Sequence, residues 1–151
     1  MNALRYFALI LGLVYVVAGI LGIVLGVVTP PATDAVPRAD GRLLGLFPIN
    51  ALHNVVHLAI GAWGVYALLS TGAARGFARG IAVIYGVLTI MGVIPVLNTA
   101  FGLAPLYGHA VWLHALSALA GAYFGWFHRV AGGPADAQSE AYAGSRPRND
   151  V

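Results

Sequence analysis

Apolar residues along the chain form four long runs, separated by shorter polar or turn-forming segments. A helix that crosses a membrane needs about 20 mostly apolar residues. Four runs approach or exceed that length, at residues 4–28, 48–70, 80–99 and 109–128. The pattern predicts an all-α membrane protein, a four-transmembrane-helix bundle that occupies residues 1–129.

The segments between the runs differ in character. Residues 29–47 are rich in proline and other turn formers, and Leu43–Phe47 at their end is apolar again. We expect Leu43–Phe47 to lie along the membrane interface. Residues 71–79 are predicted to be a short loop, and the small, polar residues 130–151 are predicted to be a disordered cytoplasmic tail.

Composition agrees with hydrocarbon as the main solvent. Hydrophobic residues make up 60% of the chain and charged residues 9%, whereas soluble domains carry about 25% charged residues. The absence of cysteine excludes disulfides and thiolate metal sites. The arginines are scattered at the ends of apolar runs and form no patch, so nucleic acid is not an expected partner.

Arginine placement predicts the orientation. Four arginines lie near helix ends on one side, and two lie on the other; the first group is Arg5, Arg75, Arg79 and Arg129, and the second is Arg38 and Arg42. The positive-inside rule then places both termini and the middle loop in the cytoplasm. Basic residues that are all arginine, with abundant Ala, Gly and Val, are typical of a bacterial chain, so we expect the bacterial inner membrane.

The chain matches itself when it is shifted. A shift of 70 positions places Arg5 on Arg75 and Tyr15 on Tyr85, and a shift of 57 positions places His57 on His114. The first and second helices and the third and fourth helices are therefore predicted to be two copies of one hairpin. Both copies start on the same side, so they form a parallel repeat about an axis along the membrane normal.

Polar residues gather on one face of the second helix. Asn50, His53, Asn54 and His57 are spaced i, i+3, i+4 and i+7, which is one helical stripe. Such side chains facing lipid would each cost several kcal/mol, so they are expected to face inward. With equivalent residues on the other helices, the candidate ligand-binding cluster is Asn50, His53, Asn54, His57, Asn98 and His114.

The stretch Leu43–Leu58, LLGLFPINALHNVVHL, contains this stripe as an N-x-x-H-N-x-x-H motif. With it the chain resembles the bacterial four-helix membrane family known as domain of unknown function 4383. The resemblance covers roughly residues 1–128. It implies a four-helix fold and a membrane location, and it implies no activity.

Several roles are open for the cluster. It can organise the helix core by hydrogen bonds and bind a small ligand. His53, His57 and His114 can instead ligate a divalent metal, or His57 and His114 a haem, in a redox or sensing protein. A pathway for protons or small polar solutes is a further alternative.

We expect no enzyme, because no acid in the membrane could orient a histidine base. Small-residue helix faces also allow contact between copies of the chain, as a homo-oligomer.

Overall fold

The computed structural model describes residues 1–23, 28–29 and 40–130. Four α-helices account for most of them: α1 (Ala3–Ile23), α2 (Ala51–Ala67), α3 (Thr71–Val93) and α4 (His109–Ala122). The last is continued by a π-helical turn, Tyr123–Phe127. By length and composition, three helices could cross a membrane: α1, α3, and α4 together with its π-turn. The chain is therefore mostly helical and membrane-like, as the hydropathy pattern predicts. The predicted tail, residues 130–151, lies outside the described residues except for Val130.

The helices α1 and α2 form a closely packed antiparallel pair. A Cβ atom added to Gly12 of α1 would lie 2.9 Å from the Gly61 carbonyl oxygen, and one added to Gly64 would lie 2.7 Å from the Gly12 Cα atom. At the far end of the pair, the Arg5 Nε atom donates a 2.6 Å hydrogen bond to the Leu68 carbonyl oxygen. Because only glycine lacks a Cβ atom, these positions allow the two backbones to approach closely.

The helices α3 and α4 pack in the same way. A Cβ atom added to Gly121 of α4 would lie 2.7 Å from the Ala78 carbonyl oxygen and 2.8 Å from the Ala82 nitrogen of α3. The two pairs meet along a core that contains Tyr15, Phe77, Ile81 and Tyr85, all buried. Large apolar side chains cover much of the outer surface of all four helices, as expected for a surface in contact with lipid.

The bounds of α3 differ from the prediction, which placed this helix at residues 80–99. The helix begins at Thr71, because the Ser70 side chain accepts a 3.0 Å hydrogen bond from the Ala73 backbone N–H and acts as its N-cap. It ends at Val93, because Pro95 disfavours the helical conformation at Ile94, which is extended. Arg75 and Arg79 thus lie on the first turns of α3 and not in a loop.

A small antiparallel sheet, which the hydropathy pattern does not predict, precedes α2. Its strands β1 (Val28–Thr29), β2 (Gly41–Leu43) and β3 (Phe47–Ile49) are ordered β1-β2-β3, with Leu43 opposite Phe47. The first and second runs, predicted as helix from residues 4–28 and 48–70, therefore each include strand residues. Strands of two or three residues are too short to show an alternating pattern.

We expect a single added methyl group to weaken the α3–α4 pair. Gly121→Ala places its Cβ against the α3 backbone, and forced overpacking of this kind typically costs about 1–3 kcal/mol. Gly86→Ala on α3 is the matched control, because a Cβ atom there meets nothing within 4 Å. Thermal unfolding in detergent should show a lower melting temperature for Gly121→Ala and no loss for Gly86→Ala. Equal melting temperatures would contradict the packing described here.

Candidate functional site

The start of α2 is fixed by Asn50. Its side-chain oxygen accepts a 2.9 Å hydrogen bond from the His53 backbone N–H, which makes Asn50 the N-cap. Its amide nitrogen donates a 2.8 Å hydrogen bond to the Leu103 carbonyl oxygen in the loop before α4. Asn50 therefore connects α2 to that loop and sets the rotation of the helix that carries the histidines.

Five aromatic side chains from the four helices meet inside the bundle, nearer the sheet than the opposite end. They form a closed series of ring contacts that we call the ring cluster: Tyr15, Tyr85, His114, His53 and His57. The three histidines are buried, with exposed fractions of 3–9%. In the order given, the ring centroids are 5.3, 5.2, 6.2 and 4.5 Å apart, and Tyr15 closes the series at 5.3 Å from His57.

The two tyrosines of the ring cluster contact each other across the two helix pairs. Their rings are stacked at an angle of 20°, and the Tyr15 hydroxyl donates a 2.9 Å hydrogen bond to the Ser117 hydroxyl oxygen of α4. This bond joins the first helix to the last across the core. Neither tyrosine was among the predicted site residues, although their match in the internal repeat was a signal that could have identified them.

Two cavities border the ring cluster, and His53, His57 and His114 line both of them. The larger cavity, about 410 Å³, lies against α1 and the β2–β3 hairpin, and Phe47 and Leu113 contribute to its walls. The smaller, about 200 Å³, lies against α3 and the loop before α4. Apart from the histidines and one tyrosine in each, the side chains that line both cavities are apolar.

The three histidines have unused hydrogen-bonding capacity. The Nδ1 atoms of His53, His57 and His114 are all buried and have no hydrogen-bond partner. Leaving a polar group unpaired in a buried position typically costs about 1–3 kcal/mol, and most such groups in proteins find a partner. Three unpaired imidazole nitrogens beside two cavities are therefore the main chemical feature of this site.

The asparagines of the predicted cluster are separated from the histidines. Asn54 is buried, and its side-chain oxygen also lacks a partner. With Asn50 it lines a third cavity of about 220 Å³, which includes Asp40 and none of the three histidines. Asn98 lies in the turn after α3, half-buried, and lines neither histidine cavity. The structure thus divides the six residues into a histidine group, an asparagine pair, and Asn98 in the turn after α3.

A metal ion and a haem are each disfavoured by this arrangement, for different reasons. Within residues 1–23, 28–29 and 40–130, no group of three or more His, Cys, Asp or Glu side chains is arranged to hold a metal ion. A haem held between His57 and His114 does not fit, because the stacked Tyr15 and Tyr85 rings fill the space that a porphyrin would need. Asp40, the only acid among the described residues, accepts a 2.9 Å hydrogen bond from the Ala51 N–H at the opposite side of α2.

Outside the helices, the loop before α4 also contacts the sheet end of the molecule. Partial burial raises the pKa of the Tyr107 phenol, and the nearby Arg42 guanidinium of β2 opposes that shift by lowering it. Phe47 of β3 contacts both His109 and Trp112, with ring centroids 6.3 and 5.8 Å apart. These contacts hold the β2–β3 hairpin against α4, over the larger cavity.

A family model described as domain of unknown function, DUF4383, matches residues 5–127. The match spans all four helices and confirms the resemblance found at the Asn and His motif. No curated protein and no solved structure matches the chain.

The Tyr15–Ser117 bond makes a prediction about stability. Tyr15→Phe should lower the free energy of unfolding by about 0.5–2 kcal/mol, the range for hydrogen bonds between membrane helices. Tyr66→Phe, at a tyrosine with 66% exposure, is the matched control and should have little effect. In a double-mutant cycle with Ser117→Ala, measured by unfolding in detergent, the two losses should not add. Additive losses would mean that the two hydroxyls do not interact.

Proposed function

The chain belongs to the DUF4383 family, and we propose that it is a four-span membrane protein whose ring cluster binds a small, mostly apolar ligand through an oxygen-bearing group. The observation that supports the proposal most directly is the set of three unpaired Nδ1 atoms beside apolar cavities. The cluster also organises the helix core, since the ring contacts and the Tyr15–Ser117 bond involve all four helices.

In this proposal α2 is the fourth span. It has 17 residues and so extends about 25 Å at about 1.5 Å per residue, somewhat less than the ~30 Å hydrocarbon core. However, it lies along α1 from Arg5, which contacts Leu68, to Gly22, where an added Cβ would collide with Asn54. A helix that accompanies a spanning helix over that length must cross the same layer. Its outer face is also apolar, with Leu52, Val55 and Tyr66 exposed.

The two hairpins are proposed to be copies of one unit, and their contacts support this. In the first hairpin Gly64 packs closely against Ala8 and Gly12. In the second hairpin its repeat partner Gly121 packs closely against the equivalent residues, Ala78 and Ala82. These pairs are related by the same shifts that relate the matching sequence positions.

Further contacts repeat in the same way. The Arg5–Leu68 hydrogen bond has a counterpart in the bond from Arg75 to the Gly125 carbonyl oxygen. Tyr15 packs on His57 as Tyr85 packs on His114. Chance matches between apolar sequences would not be expected to reproduce pairwise contacts of this kind.

The orientation in the proposal follows from the arginines. Arg5, Arg75, Arg79 and Arg129 belong to one end of the bundle, which we call the arginine end, and the sheet with Arg42 belongs to the other. Positive charge favours the cytoplasmic side, so both termini are proposed to be cytoplasmic in a bacterial inner membrane. The larger cavity then lies in the outer half of the bilayer.

The chemistry of the ligand follows from the walls of the larger cavity. A volume of about 410 Å³ is in the range of small-molecule sites, and its apolar side chains favour a hydrocarbon body. A neutral imidazole Nδ1 either donates or accepts a hydrogen bond, depending on its tautomer. A hydroxyl can pair with either state and a carbonyl oxygen with the donating state, so an apolar alcohol, phenol or quinone is the favoured class.

A proton or solute pathway has less support. The core on the arginine side of the ring cluster is filled by apolar side chains, including Leu4, Phe77 and Ile81, each with 0% exposure. Phe7 also stacks on Phe124 there, with ring centroids 4.4 Å apart. A continuous polar route would need hydrogen-bonding groups in this layer.

Two matched probes test the proposed ligand chemistry. The protein, labelled with ¹⁵N-histidine in lipid nanodiscs, is titrated with 4-heptylphenol and, separately, with heptylbenzene, which lacks the hydroxyl. We expect the phenol to shift the Nδ1 resonances of the buried histidines saturably and heptylbenzene to leave them unchanged. His53→Ala should weaken phenol binding about tenfold or more, since it removes a hydrogen-bond partner and part of the cavity wall.

His128→Ala is the control, because His128 follows the π-helical turn at the arginine end and lines neither histidine cavity. It should bind the phenol as the unchanged protein does. Equal response to both probes, or no response to either, would rule out the proposed ligand class.

A further inference from the structure

Two arginines of α3 reach across to the carboxyl end of α4. The Arg79 Nε atom donates a 3.0 Å hydrogen bond to the Gly125 carbonyl oxygen. The Arg75 guanidinium donates bonds of 3.3 Å to the carbonyl oxygens of Gly125 and His128. Both positive charges are therefore held at one point of the arginine end, beside the π-helical turn.

These charges are not neutralised by the groups that hold them. The acceptors are carbonyl oxygens, and the partial negative charge at a helix carboxyl end amounts to roughly half an elementary charge, against two guanidinium charges. Among the described residues the only carboxylate is Asp40, which belongs to the sheet end. The described part of the arginine end thus has an excess of positive charge.

Arg79 is the accessible member of the pair. It is exposed, and its guanidinium lies over the ring of Trp126, 5.6 Å from the centroid. The stacking and the Nε bond fix the plane of the guanidinium and leave its two terminal nitrogens available. Tryptophan is enriched at the level of lipid headgroups, which is the level that the proposed membrane location gives the arginine end.

The equivalent corner of the first hairpin lacks these features. Arg5 bonds to Leu68 as Arg75 bonds to Gly125, but the repeat partners of Arg79 and Trp126 are Leu9 and Leu69. The second arginine and its aromatic support are therefore not needed to close a hairpin. Arg5 and Arg75 share the role of capping the end of the neighbouring helix. Arg79 and Trp126 have no counterpart in the first hairpin, so their role is a separate one of binding.

We propose that Arg79 and Trp126, beside the positive charge of Arg75, form a site for the phosphate headgroup of an anionic phospholipid. The planar, fixed guanidinium of Arg79 is suited to bidentate contact with phosphate oxygens, and Trp126 contacts the lipid glycerol and upper acyl chain. The site depends on the proposed membrane location, and it is separate from the ring cluster and its ligand.

The test measures lipid binding to the full-length protein in detergent by native mass spectrometry. We expect dioleoyl phosphatidylglycerol to bind at least tenfold more tightly than dioleoyl phosphatidylcholine. Arg79→Gln should weaken phosphatidylglycerol binding about fivefold, the factor expected for one arginine at an anionic surface. Arg79→Lys should retain part of the affinity, and millimolar inorganic phosphate should not displace the lipid.

Arg42→Gln, at the sheet end, is the matched control and should bind like the unchanged protein. Equal binding of the two lipids, or no effect of Arg79→Gln, would overturn the proposal. So would a gain of phosphatidylglycerol binding only after Asp136→Asn with Glu140→Gln, because those carboxylates would then be the natural partners of the arginines. His53→Ala should leave lipid binding unchanged, so failure of the ring-cluster proposal would be seen separately.

Discussion

Close backbone contact within each helical hairpin is the constraint on which the ring cluster depends. Gly64 on Gly12 and Gly121 on Ala78 bring the helix axes together without side chains between them. Each contact turns one tyrosine and one histidine of its hairpin toward the other hairpin. With the backbones farther apart, Tyr15 and Tyr85 could not stack at 5.3 Å, and the three imidazoles would not share a boundary with two cavities.

The same constraint explains why polar nitrogens remain unpaired. Neighbouring rings pack around the histidines, and their buried Nδ1 atoms meet neither a donor nor an acceptor. In hydrocarbon no water can satisfy such atoms by default. Three unpaired nitrogens in one place lower the stability of a core that has only a structural role. A ligand that forms hydrogen bonds with these nitrogens would recover part of that free energy.

Helical periodicity predicted much of this arrangement, because burial and spacing are coupled in a helix. Within the stripe, His53, Asn54 and His57 are buried, whereas Asn50 is half-buried at the N-cap of α2. Periodicity could not separate the asparagines from the histidines, because side chains on one helical stripe about 100° wide can face two different neighbouring elements. The start of α3 was missed because Arg75 was interpreted as a loop residue, whereas its long side chain extends back to a carbonyl of α4.

Differences between the hairpins carry more functional information than their likeness. Under the proposed duplication, His53 corresponds to Ala110, Ser117 to Ile60 and Arg79 to Leu9. Each of these polar residues belongs to a feature that one hairpin has and the other lacks: a third imidazole at the cavities, the hydroxyl partner of Tyr15, and the exposed guanidinium over Trp126. Residues needed to pair two helices should be retained in both copies. Of the polar residues present in one copy only, Ser117 joins the two hairpins through Tyr15, and His53 and Arg79 are the residues on which the two proposed binding sites depend.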